Sequence, residues 1–173
     1  MVSEILRHIL RFIVLILVQG LILKNVEPLP GLNPFLYVLF ILLLPIELPA
    51  WIGLLIAFVT GWCVDLFYGT PGMHTATCTF IGFLRPAVLR FMAPRDGYES
   101  GNQPTMQDMG RAWFLTYTII LVFSHHFILF FLEMFSFREF FSTLLRIIMS
   151  SAATVLLIIV TQFLFYRTKT STT

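Results

Sequence analysis

Charge is scarce in this chain. Only 12% of its 173 residues are Asp, Glu, Lys or Arg, against about 25% in soluble domains, so too little polar surface exists to cover a water-soluble globule. Eleven basic and nine acidic residues leave a net charge of +2 without a long basic run, which excludes a nucleic-acid footprint. Cysteine is almost absent as well. Cys63 and Cys78 stand alone in apolar stretches, with no CxxC pair and no His/Cys cluster at metal spacing, so neither a disulfide framework nor a zinc site is indicated. Both thiols read as small packing residues. No HExxH, GxSxG, Gly-rich phosphate loop or Cys/His nucleophile arrangement occurs, so the sequence marks no enzyme class and calls for no cofactor. Internal repeats are missing too, which weakens an inverted-repeat transporter, and the only low-complexity tract is the terminal TKTSTT.

Apolar length is what the chain has. Fully 58% of it is hydrophobic and the mean hydropathy is +0.89, so an all-α membrane protein is expected, with residues 1–173 forming one integral domain. Six stretches can be drawn, at about 9–23, 34–48, 50–68, 73–92, 112–135 and 143–166, which predicts a six-helix transmembrane bundle. The fifth and sixth cross a core of about 30 Å at 1.5 Å per residue, the third just reaches, and the first is expected to cross with its bounds extended by several residues. The second is short and ends in PIELP, where Pro45 and Pro49 bracket Glu47, so a helical hairpin is predicted there. The fourth is the most diluted, by His74 and three threonines at its start and Arg85, Pro86 and Arg90 near its end. Arg7 and Arg11 ahead of an apolar run resemble a signal peptide, but no small-x-small site follows Leu23, and an uncleaved first span is expected.

Six crossings place both termini on one side. With that side cytoplasmic, Arg7, Arg11, Arg90, Arg95, Arg111, Arg167 and Lys169 lie inside, against Lys24, Arg138 and Arg146 outside, as the positive-inside rule requires. The polar segment 93–111 then becomes an exposed cytoplasmic loop.

The residues costly to keep in a membrane are few. Gly53, Ala57, Gly61 and Asp65 recur every four residues on the third span, a small-xxx-small face that lets a partner helix approach. His74, Cys78 and Gly82 offer the same spacing on the fourth, and a hairpin through FYGTPG, with Gly69, Pro71 and Gly72 at its turn, pairs the two faces. An ionised Asp costs roughly 2.5–3.5 kcal/mol at a helix centre. Asp65 lies about 22 Å along its helix, nearer the outer interface. It either accepts hydrogen bonds from the 68–72 turn and nearby threonines, or binds a ligand or proton. Arg85 and Arg90 either snorkel to the cytoplasmic interface or, for Arg85, pair with Glu47 or a lipid phosphate. With Arg95 and Asp96 of the loop they form a candidate cytoplasmic interface. His125 and His126 lie mid-span without obvious partners, since Glu133 is about 10 Å farther along the axis, and they read as neutral packed histidines. Residues 150–154, Ser-Ser-Ala-Ala-Thr, make a second small patch on the last span, and the aromatic run FILFFLEMFSFREFF, with Arg138 and Glu139, suits an outer interface or a partner helix.

The order of these features, PFLYVLFILLLPIELPAW, then GWCVDLFYGTPGMHT, then RPAVLRFMAPRDGYE, resembles the rod shape-determining protein MreD family, most strongly from Asn33 to Glu99. Gly61-x-x-x-Asp65 followed by Gly69 and Pro71-Gly72 is similar to that family's most recurrent motif. The resemblance implies a non-enzymatic subunit of the bacterial cell-elongation machinery in the inner membrane. It would bind MreC and, through it, MreB, RodA and RodA's partner transpeptidase. It also implies a fold similar to the substrate-binding subunits of energy-coupling-factor vitamin transporters, and a small-molecule-binding transporter subunit is the competing function.

Overall fold

A computed structural model describes residues 2–26, 32–134 and 140–165, with side chains from Ile5 onward. Gly31, Arg138, Glu139, Arg167, Lys169 and the terminal tail lie outside the described residues. Every regular element among the described residues is helical: α1 (Val2–Leu17), α2 (Val38–Leu42), α3 (Ala50–Tyr68), α4 (Met73–Phe91), α5 (Met106–Met109), α6 (Arg111–Met134) and α7 (Phe140–Phe165). A π-helical turn, Val18–Ile22, and a 3-10 turn, Leu23–Asn25, carry α1 onward into an apolar run from Ile5 to Asn25. Among the described residues four helices are long and apolar enough to cross a bilayer: Ile5–Asn25, Ala50–Tyr68, Arg111–Met134 and Phe140–Phe165.

The exterior is more apolar than a water-soluble surface permits. Trp51, Leu66, Phe83, Phe91 and Phe141 are exposed, whereas Gln19, Asp65, His74, Arg85, His125, His126 and Thr154 are buried. Large exposed apolar areas mark contact with lipid or protein, and this inside-out distribution spans the long helices. The chain is an all-helical membrane protein.

The expected second span is corrected. Only Val38–Leu42 is helical, five residues, and the backbone on either side is irregular. Pro34 lies upstream, and Pro45 disfavours the helical conformation at Leu44. The unwound part also solves a length problem, because residues 32–44 as one helix would rise only about 18 Å, while extended residues rise up to about 3.3 Å each. The segment runs through the centre of the bundle, with Tyr37, Val38, Ile41 and Leu42 fully buried. After it, Pro45 to Pro49 turns the chain, with Leu48 N–H donating to Pro45 O at 3.3 Å, and α3 begins at Ala50.

The diluted fourth stretch is a full helix of 19 residues with Pro86 inside it, packed antiparallel on α3. The polar loop is partly docked rather than wholly exposed. Tyr98 Oη donates to Leu89 O at 2.7 Å, Trp113 Nε1 donates to Met92 O at 3.0 Å, and Pro104 and Thr105 are buried.

Candidate functional site

The α3–α4 turn is built around one carboxylate. Gly69 ends α3 in the left-handed region at φ 68°, and Gly72, at φ 89°, precedes α4 but has no side chain with which to cap it. Asp65 supplies the cap from the neighbouring helix. Its Oδ1 accepts from Thr70 Oγ1 and His74 N, both at 3.0 Å. Its Oδ2 accepts from Gly72 N at 2.9 Å, Thr75 N at 3.0 Å and Thr75 Oγ1 at 2.6 Å. Five donors converge on a residue that is only 4% exposed. A negative charge at a helix N-terminus also complements the macrodipole of α4. The hydrogen-bonding reading of Asp65 accounts for both of its oxygens.

Below the turn, α3 and α4 touch through their backbones. A Cβ at Gly61 would sit 2.5 Å from His74 O and 2.6 Å from Thr75 Cα, and one at Gly82 would sit 2.7 Å from Ala57 Cβ. Gly61, Ala57 and Gly82 therefore form the expected close crossing. Gly53 does not take part in the same way, since a Cβ there would meet only Leu48 Cδ2, at 3.8 Å.

The remaining buried polar residues serve the central segment. An unwound backbone in a membrane interior must find partners within the protein, and four surrounding helical elements provide them. From the π-turn, Gln19 Oε1 accepts from Leu36 N at 2.8 Å, while its Nε2 donates to Pro34 O at 3.2 Å and to Tyr68 Oη at 2.7 Å. From α7, Ser150 Oγ accepts from Asn33 N at 3.0 Å and Thr154 Oγ1 from Phe35 N at 2.9 Å. From α6, Tyr117 Oη donates to Leu42 O at 3.0 Å. From α4, Arg85 donates through Nη2 to Leu44 O, through both terminal nitrogens to Pro45 O at 3.5 Å, and through Nε to Tyr117 Oη at 2.8 Å.

Arg85 is thus corrected. It does not snorkel, is only 4% exposed, and is withdrawn from the candidate interface, while Glu47 stays exposed and unpaired with it. Arg90, Arg95 and Asp96 are exposed. A guanidinium suits the inner position because its fan of donors can serve several carbonyls at once.

The histidines gain the partners that spacing along one helix could not reveal. Tyr37 Oη lies 2.7 Å from His125 Nε2 and 2.9 Å from His74 Nδ1, so it donates to one imidazole and accepts from the other. His126 Nδ1 lies 2.8 Å from Val122 O, which can only accept, so Nδ1 carries the proton and Nε2 accepts from Thr154 Oγ1 at 3.1 Å. A chain of bonds therefore runs from Phe35 N–H through Thr154 to His126 and ends on α6. The Phe35 ring packs among all three imidazoles, with centroids 5.3–5.9 Å away. Among the described residues no group of three His, Cys, Asp or Glu side chains is placed to hold a metal ion. Glu133 pairs instead with Arg146, at 3.2 Å.

No family model, curated protein or solved structure matches the chain. The sequence reading missed Gln19, Tyr37 and Tyr117. The available signal was the proline-bounded apolar run itself, because a span that cannot stay helical requires polar partners from its neighbours.

Proposed function

We propose that this chain is a scaffold and coupling subunit of the bacterial cell-elongation complex in the inner membrane, without catalysis of its own. The observation that carries the reading is the disposition of buried polar groups. Gln19, Arg85, Tyr117, Ser150 and Thr154 hold one central segment in place, and Asp65 holds one turn. Such an interior makes a firm body whose outer faces are available to other proteins. The MreD-like motif from Gly61 to Gly72 supplies the structural turn in this arrangement.

In this reading the chain makes six passes, counting the central segment and α4, with both termini cytoplasmic. MreC binds along the α6–α7 surface, where Ile119, Phe123, Ile148, Ser151, Ala152 and Val155 line a groove of about 470 Å³. Small residues there admit a transmembrane helix, and Ser151 Oγ is buried without a partner among the described residues. Through MreC the bundle reaches MreB, RodA and the transpeptidase. The vitamin-transporter alternative is less favoured because residues 35–44 fill the centre of the bundle.

The test is co-purification with MreC. Ala152→Phe, on an exposed groove residue, is expected to abolish capture while leaving thermal stability unchanged, and depletion of the chain is expected to round rod-shaped cells. Retained capture together with unaltered shape refutes the proposal. Tight vitamin binding with recovery of paired ATPases points to transport instead. Topology reporters after Gly31, Gly101 and Thr173 are expected outside, inside and inside, respectively.

A further inference from the structure

A second groove lies between the start of α1 and the end of α7. Helix α1 packs against α2 and α3, and α7 against α6. Between α1 and α7 is a cavity of about 460 Å³ whose lining includes Arg7, Leu10, Arg11, Val14, Leu39 and Phe165. That volume falls in the range of about 300–1,000 Å³ found for small-molecule sites.

Its chemistry is divided along its length. Arg7, Leu10, Arg11 and Val14 recur at helical spacing and share one face of α1, with both cations in the first turns and the apolar residues continuing inward. Both cations fall within the first seven residues of the apolar run Ile5–Asn25, and helical side chains lean toward the N-terminus of their own helix, a direction in which long cationic side chains snorkel toward the bilayer surface. Arg11 Nη1 is fixed to the groove wall by donating to Leu43 O at 3.4 Å. Away from the arginines the lining is apolar except for Thr161, whose hydroxyl donates back to Leu157 O at 2.8 Å: Leu39 from the central segment forms the floor, and Leu10, Val14 and Phe165 are exposed along the rim. An occupant must therefore be an amphiphile with a negative head at the bilayer surface and an apolar tail.

We propose that this groove binds one anionic phospholipid of the surrounding bilayer, its phosphate held by Arg7 and Arg11 and one acyl chain laid along Leu10, Val14, Leu39 and Phe165. Two guanidiniums complement a headgroup with net negative charge better than a zwitterionic one, whose own cation they repel. The site is independent of the scaffold reading and of any contact with MreC.

The experiment is native mass spectrometry of the full chain in detergent, titrated with phosphatidylglycerol and with phosphatidylcholine of equal chain length. Phosphatidylglycerol is expected to bind at least fivefold more tightly. Arg7→Gln is expected to narrow that preference, and Arg7→Gln/Arg11→Gln to abolish it. Val14→Trp, which fills the groove from its lipid-facing rim, is expected to remove binding of both lipids while unfolding temperature stays within a degree or two of the parent. Equal affinity for the two lipids overturns the proposal, as does an unchanged preference in the double variant with an unchanged unfolding temperature. Binding that survives Val14→Trp places the lipid elsewhere and refutes the groove. Inorganic phosphate competing as well as the lipid, or a protein helix crosslinking to Val14→Cys in native membranes, equally refutes it.

Discussion

Replacing Asp65 by Asn removes one charge and changes one oxygen into an amide, with little change in shape. All five groups facing the carboxylate are donors, so an NH2 cannot be placed without opposing at least one of them. The less costly placement puts the amide nitrogen at the Oδ1 position. There Thr70 can rotate its hydroxyl to accept, but His74 N–H cannot, and it is left buried and unpaired. An unsatisfied buried donor costs about 1–3 kcal/mol. Three further bonds, from Gly72 and Thr75, lose charge assistance worth roughly half of each, and the neutral amide is relieved of the desolvation cost of a buried carboxylate, which offsets part of the loss, so the net cost is about 2–4 kcal/mol. Asp65→Ala orphans three backbone N–H groups and should cost more, roughly 3–6 kcal/mol. For a soluble chain of similar length each kcal/mol moves Tm by about 2–4 °C, so the amide variant is expected to melt roughly 4–16 °C lower. The protein carries its own probe: Cys78 is buried on α4, beside this turn. Its labelling by a fluorogenic maleimide during heating, in a Cys63→Ser background, reads the opening of the hairpin. An unchanged melting curve for Asp65→Asn refutes the donor accounting. An alanine variant no worse than the amide refutes it as well.

Gly61→Ala is expected to destabilise by about 1–3 kcal/mol through overpacking against rigid backbone, whereas Gly53→Ala should be neutral or slightly stabilising; the same thiol assay separates them, and similar losses at both positions would contradict the geometry. Arg85→Met strands the carbonyls of Leu44 and Pro45 and is expected to reduce accumulation in the membrane sharply, with Arg85→Lys restoring little because one ammonium cannot span both carbonyls and Tyr117; full rescue by Lys, measured by yield and monodispersity, counts against the multidentate role. Tyr37→Phe removes the bridge between His74 and His125 and should cost about 1–3 kcal/mol, read as a lowered Tm without loss of helix content by circular dichroism.

The α3–α4 turn was legible because its determinants are local. Gly69, Pro71 and Gly72 encode a tight connection by their backbone preferences, and Asp65 lies one turn before it. The helical face of Gly61 and Ala57 was legible for the same reason, since spacing along one helix fixes which side chains share a side. The second span was not. Hydropathy registers that residues 35–44 are apolar but says nothing of whether that backbone is coiled, and the same burial stabilises either form.

Membrane residence follows from composition, because transfer free energy is a sum over residues and needs no knowledge of their arrangement. What Arg85, Gln19 and His125 do depended on the tertiary structure. Their partners are distant in the chain, as with Asn33 and Ser150, separated by 117 positions, and a backbone group requires a partner only once it has been unwound and carried away from water. The sequence placed costly polar residues inside the bilayer; only the packed bundle determined that they hold the irregular backbone flanking α2 at its centre.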